Sequence, residues 1–116
     1  MLQIPYPKNI SEFELQATLF ALLKYNYKLD VRGEVIDRSM KSKFRKSGFQ
    51  TNRFDLVVYK EKKAICIIEV KREGKKYSEK SRQYKKYSFY QAELIYCNSI
   101  KDVTKIANYI LTLYDG

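Results

Sequence analysis

The segment RFDLVVYKEKKAICIIEVKR constrains this chain more than any other stretch. Two strand-like runs, residues 53–59 and 64–70, flank the polar turn residues Glu61, Lys62 and Lys63, which is the pattern of a β-hairpin. The second run, AICIIEV, is nearly all apolar, so its strand is expected to be central in a sheet and covered on both faces. A charged residue at its end, Glu69, is then conspicuous. Side chains alternate along a strand, so Glu69 and Lys71 point to one face and Val70 to the other. Antiparallel pairing about Lys60 and Lys63 sets Asp55 across from residues 67–69, within side-chain reach. Two carboxylates and a lysine are expected to converge at one sheet edge.

The rest of the chain supplies elements to pack around this hairpin. Pro5 and Pro7 make the opening residues an extended lead-in. Ser11 has the look of an N-cap, with Glu14 at capping-box spacing, and a helix is predicted over 12–25. Its apolar face is broad: Phe13, Ala17, Phe20 and Ala21 trace one side, and Leu15, Leu19, Leu22 and Leu23 another. Residues 27–37 alternate and predict a first strand interrupted near Gly33. Residues 38–52 form a basic loop, or a strand extension that orders on a partner. A polar loop over 73–78 leads to a helix predicted over 79–90 and a short strand over 93–97. Asn98 or Ser99 caps a last helix in which Val103, Ile106, Ile110 and Leu113 recur at helical spacing. With 116 residues, a single domain spanning 1–116 is expected. The fold class is α/β: a small mixed β-sheet flanked by helices, an αβββαβ core plus a C-terminal helix.

Composition narrows the chemistry. There is no histidine, and Cys66 and Cys97 lie in apolar runs without metal-ligand spacing or a disulfide framework. Zinc sites and Ser-His-Asp or Cys-His nucleophilic catalysis are therefore set aside. Hydrolysis would rest on carboxylates, lysines and a hard metal ion. The formal net charge of +10 and pI near 9.6 point to a polyanionic partner. No basic amphipathic helix offers an apolar insertion face, so nucleic acid is favoured over a membrane; the plain alternative is solubility. No run approaches the roughly 20 apolar residues of a membrane span, and the N-terminus lacks the features of a secretory signal, so a cytoplasmic location is expected.

Asp55 and Glu69 suit Mg²⁺, which prefers oxygen ligands and is held by one or two carboxylates plus substrate phosphate. Such an ion polarises a phosphodiester and activates a water, and Lys71 beside it could orient that water or stabilise the developing charge. The competing reading makes Asp55 and Glu69 salt-bridge partners of Arg53, Lys71 or Arg72. Two basic stretches flank the set in sequence and would form the walls of a phosphate-tracking groove. One carries Lys41, Lys43, Arg45, Lys46 and Arg53; the other carries Arg72, Lys75, Lys76, Arg82, Lys85 and Lys86. Tyr77, Tyr84 and Tyr87 lie among the latter and could stack on bases or pack along lysine stems.

Asp55 in RFDLVV, with Glu69 and Lys71 in IIEVKR, on a hairpin in this element order, resembles the PD-(D/E)XK nuclease superfamily, whose fold is restriction endonuclease-like. Phe54 stands where the family's name has proline. The resemblance implies an endodeoxyribonuclease dependent on Mg²⁺ or Mn²⁺, hydrolysing DNA phosphodiester bonds by attack of a metal-activated water, with RNA left open as a substrate. It implies a glutamate of the first helix as a further metal ligand, Glu14 ahead of Glu12, and Val70 as a ligand through its carbonyl; Glu34, at the end of the first strand, is the weaker alternative to Glu14. It also implies Gln83, in QYKKY, as a contact to the metal-bound water or the scissile phosphate. Glu14 equally fits the capping box with Ser11. A catalytically inactive DNA-binding module keeping the same fold is the second reading. Cutting both strands needs two sites, which makes a homodimer an expectation.

Overall fold

The structure is a computed structural model that describes residues 2–37, 52–75 and 90–116. Helix α1, Glu12–Ala21, starts where the sequence predicts. The Ser11 hydroxyl accepts from the Glu14 N–H at 3.1 Å, and the Glu14 carboxylate accepts from the Ser11 N–H at 3.3 Å. Each side chain thereby satisfies a backbone donor that the first turn leaves without a helical partner. Leu15 and Leu19 lie four residues apart, and Leu23 extends their row into a π turn, Leu22–Asn26; all three are fully buried. The buried stripe is narrower than the sequence suggests, since Phe13, Ala17 and Ala21 are exposed. Alanine offers little area to bury, so the leucine row decides which way the helix faces.

Lys28 adopts a left-handed conformation (φ 60°), and the Leu29 N–H returns to the Leu23 carbonyl at 3.0 Å. This closes the helical segment. Strand β1, Asp30–Asp37, consequently begins three residues later than the alternation predicts. Strands β2, Asn52–Lys60, β3, Lys63–Val70, and β4, Glu93–Cys97, complete one sheet in the order β1-β2-β3-β4. β1 and β3 run antiparallel to β2, and β4 runs parallel to β3, so the sheet is mixed. The β2–β3 turn is tighter than predicted. Glu61 and Lys62 alone form it, both with positive φ (52° and 67°), while Lys63 pairs with Lys60. Positive φ at both central residues gives a two-residue turn the twist of the strands it joins.

One sheet face carries the main core. Leu15, Leu19 and Leu23 meet Val31, Leu56, Val58, Cys66, Ile68 and Val70 there. Helix α2, Val103–Asp115, adds Val103, Ala107 and Ile110 to the same cluster. Ser99 caps the 3-10 turn Ile100–Asp102 that feeds this helix, accepting from the Lys101 N–H at 3.2 Å. The other face holds Phe54, Val57 and Ile67, with Tyr90 set edge-on to Phe54 at 5.1 Å between ring centres. β3 is interior in the sheet and buried from Cys66 to Val70, as its apolar run predicts. The coarse α/β class and the mixed sheet match expectation. Residues 38–51 of the basic stretch and all but the last residue of the helix predicted over 79–90 lie outside the described residues. Among the described residues no helix is long and apolar enough to cross a membrane.

Candidate active site

The hairpin register decides what meets at its open end. Lys60 pairs with Lys63 and Tyr59 with Ala64, and the ladder then resumes as Val58 with Cys66, Val57 with Ile67 and Leu56 with Ile68. Ile65 is therefore an extra residue on β3. An unbroken ladder would carry Asp55 opposite Ile68; the bulge moves it opposite Glu69. The Asp55 carboxylate accepts from the Val70 N–H at 2.8 Å, and Lys71 Nζ lies 3.2 Å from Glu69 Oε1. Glu69 is 3% exposed, the one buried polar or charged residue among those described.

A second irregularity acts from β1. Gly33 pairs with Leu56 and Val35 with Phe54, while Glu34 between them has a φ of 54°. Few residues other than glycine adopt that conformation. Opposite it, β2 turns over: Phe54 packs in the cluster on one face and Leu56 in the cluster on the other, although residues two apart normally share a face. Asp55 sits at the turn-over. Gln16 Nε2 donates to Glu34 Oε1 at 3.0 Å and to the Asp55 carbonyl at 3.2 Å, tying α1 to both strands. Arg53 Nε donates to Glu34 Oε2 at 2.6 Å, and Nη2 of the same guanidinium reaches that oxygen too.

These groups surround a cleft of about 470 Å³. Its walls are Glu12, Phe13 and Gln16 from α1, Glu34 from β1, Arg53 and Asp55 from β2, and Glu69, Val70 and Lys71 at the end of β3. Burial pushes the Asp55 carboxyl up to about 6, against the pull of the Val70 N–H; the charges of Glu69 and Glu34 raise it further and Lys71 opposes them. Glu34 is held below its ordinary range by the hydrogen bonds from Gln16 and Arg53. Among the described residues no group of three Asp, Glu, Cys or His side chains gathers into a ready metal cage. Four carboxylates wall the cleft, with the main chain of Val70; of these, Glu34 is held by Gln16 and Arg53, and Glu12 by the Arg72 N–H.

Asp55, Glu69, Val70, Lys71 and Arg53 are thus brought together as predicted, and Glu34 joins them. Glu14 is not. Its carboxylate is engaged by the Ser11 N–H and hydroxyl, and the cleft wall is formed one stripe over by Glu12 and Gln16, an i, i+4 pair. Glu12 Oε1 also accepts from the Arg72 N–H at 3.0 Å. The capping box is visible in the sequence, and it is what ties up Glu14. Gln16 and Phe13 were missed, and Glu12 is expected only as second to Glu14. Arg72 and Lys75 are exposed and do not line the cleft, although the Arg72 N–H meets its Glu12 wall. Lys41, Lys43, Arg45, Lys46, Lys76, Arg82, Gln83, Lys85 and Lys86 lie outside the described residues, as do Tyr77, Tyr84 and Tyr87. Cys66 and Cys97 are buried free thiols, and burial pushes Cys66 up to about 12, far from nucleophile range.

Compared with protein families, curated proteins and solved structures, the chain finds no match in any of the three.

Proposed function

We propose that the chain is a Mg²⁺- or Mn²⁺-dependent endonuclease of the PD-(D/E)XK kind that hydrolyses DNA phosphodiester bonds. The observation that carries this reading is the convergence of Asp55 and Glu69 at the open end of the hairpin, with Lys71 3.2 Å from Glu69, in an open cleft. The donor set fits a hard divalent cation: carboxylate oxygens of Asp55 and Glu69, with the Val70 carbonyl, and an Asp55 charge that burial and Glu69 disfavour until a cation offsets it. Bound there, such an ion supplies Lewis-acid polarisation of the phosphate and a hydroxide-like water near neutral pH. Lys71 places a fixed positive charge where negative charge develops on the phosphate oxygens. The Val70 N–H and Gln16 hold Asp55 in position by its carboxylate and its carbonyl respectively. Arg53 in the cleft wall offers a phosphate contact, the exposed Arg72 and Lys75 offer more further along the chain, and the exposed Phe13 ring offers a stacking surface. Gln83 remains the position that the family resemblance adds from outside the described residues.

The second reading, a DNA-binding module without catalysis, is favoured by one observation. No third acidic side chain completes a metal cage among the described residues. Incubating the purified protein with duplex, branched and single-stranded DNA in Mg²⁺, Mn²⁺ or chelator separates the two. Cleavage that requires metal and disappears in Asp55→Ala and Lys71→Ala, with binding kept, is expected. Binding without cleavage on every substrate selects the module, and cleavage indifferent to chelator sinks the metal mechanism. A sedimentation mass equal to one 13.8 kDa chain would count against a homodimer.

A further inference from the structure

Arg53 stands two residues before Asp55 on β2 and lines the same cleft. Its guanidinium is already engaged there: Nε and Nη2 both contact Glu34 Oε2, the former at 2.6 Å. The other Glu34 oxygen takes the Gln16 amide at 3.0 Å, and that amide nitrogen also holds the Asp55 carbonyl at 3.2 Å. One carboxylate thereby joins the cleft's arginine to α1 and, through Gln16, to the backbone of Asp55. Keeping it there requires Glu34 to sit at a φ of 54°, a conformation that disfavours a glutamate.

Stability does not explain the arrangement. The two side chains are 63% and 48% exposed, and an ion pair in that much water adds little to folding. Its chemistry is informative instead. An arginine fork binds a phosphodiester's oxygens in the way it binds a carboxylate's, and the two anions carry the same single charge. A solvent-exposed carboxylate on an arginine beside a phosphodiesterase-type site is a competitor for the phosphate.

We propose that Glu34 is a built-in stand-in for a DNA backbone phosphate, holding Arg53 in its gripping orientation until a phosphodiester displaces it. The inference rests on the nuclease reading of the cleft. Glu34 then weakens DNA binding, and Arg53 is the group whose grip it conceals. Gln16 is a positioning residue, because its amide keeps the Asp55 backbone in place after Glu34 lets Arg53 go.

A double-mutant cycle on DNA affinity tests this, read by fluorescence anisotropy of a labelled duplex in chelator so that cleavage plays no part. The proteins are wild type, Glu34→Gln, Arg53→Gln, the double variant, and Glu61→Gln in the exposed hairpin turn as a control for net charge. Glu34→Gln is expected to tighten binding about three- to ten-fold and to steepen the salt dependence by about one phosphate contact. Arg53→Gln weakens binding by a similar factor, and in that background Glu34→Gln changes affinity by less than about twofold. Tightening that persists without Arg53, or that Glu61→Gln reproduces, overturns the proposal as a bulk-charge effect. So does an unchanged or weaker Glu34→Gln. Glu34→Asn, a residue type that tolerates the left-handed backbone, gives the same cycle if the glutamine variant melts early. A wild type that cuts DNA with metal but shows an additive cycle removes this inference alone; a wild type that neither binds nor cuts removes the nuclease reading with it.

Discussion

Replacing Asp55 by asparagine keeps the side chain's shape and its acceptor for the Val70 N–H while removing the charge. The folded protein holds this carboxyl at about 6 rather than 3.8, chiefly because burial disfavours the ion. A gap of roughly two pH units corresponds to about 3 kcal/mol between the two protonation states. The carboxyl faces an open cleft where water screens it, which brings the working figure down to about 1–2 kcal/mol. The sign follows from linkage. A group whose pKa is raised on folding binds its proton more tightly in the folded state, so its contribution to stability is complete below about 3.8 and is lost as pH rises through about 6. At about pH 8 the wild type carries the whole penalty and Asp55→Asn carries none. The variant is expected to melt about 4–8 °C higher there, given the entropy of unfolding of a domain this size. The gap should narrow steadily as the pH falls toward about 4. Circular dichroism melts in chelator across that range measure it directly. If Asp55→Asn melts at or below the wild type at about pH 8, or if the gap does not shrink on acidification, Asp55 is not a charge held against its preference and the electrostatic case for a metal there collapses.

Other outcomes follow from the same geometry. Lys71→Met keeps the stem but removes the ammonium 3.2 Å from the buried Glu69 carboxylate, and should cost about 1–3 kcal/mol in a urea titration. Glu14→Ala breaks the capping box and should cost about 1 kcal/mol while leaving DNA cleavage at the wild-type rate. Glu12→Ala should do the reverse, with near-normal melting and slower cleavage in a gel assay. Cys66, buried with its thiol pushed up to about 12, should react with a disulfide reagent only at the rate of unfolding, so labelling should accelerate with denaturant and not with mild alkali.

Most of the sheet was legible because its signals are local. AICIIEV announces an interior strand by having no polar side to turn outward, and Ser11 with Glu14 announces a helix start by offering two reciprocal acceptors. The convergence of Asp55 with Glu69 was legible only to within three residues. The Ile65 bulge that fixes it leaves no mark in the order of apolar residues, since Ile65, Cys66, Ile67 and Ile68 would each suit either face. The start of β1 was misread because Tyr27 and Leu29 alternate with polar residues while the chain is still closing a helical turn. Glu14 stands at capping-box spacing from Ser11, and in the structure its carboxylate closes that box while Glu12 lines the cleft. Gln16 carries no sequence signal of its own. Its role exists only because α1 crosses the sheet at the point where β1 and β2 distort.

Those distortions bear on the choice between the proposed functional cluster and ordinary ion pairing. Elsewhere the chain follows local preference: Leu15, Leu19 and Leu23 on one helical stripe, and Cys66, Ile68 and Val70 on one strand face, all buried in a single cluster. Ion pairing for its own sake looks like Arg32 with Asp30, two exposed side chains two residues apart on an edge strand, with an Nε–Oδ1 distance of 3.0 Å and an ordinary backbone. The cleft shows the opposite habits. Glu69 is buried at the end of an apolar strand, Asp55 is charged where burial disfavours it, and Glu34 occupies a left-handed conformation to reach its partners. An apolar residue at Glu69 and a glycine at Glu34 would each suit the fold better. Departures from local rules that gather at one place, each costing stability, are what a site retained for its chemistry looks like. If ion pairing were the whole account, Lys71→Met combined with Glu69→Leu would restore or exceed wild-type stability and leave DNA cleavage intact. The nuclease reading agrees about the stability and requires cleavage to vanish.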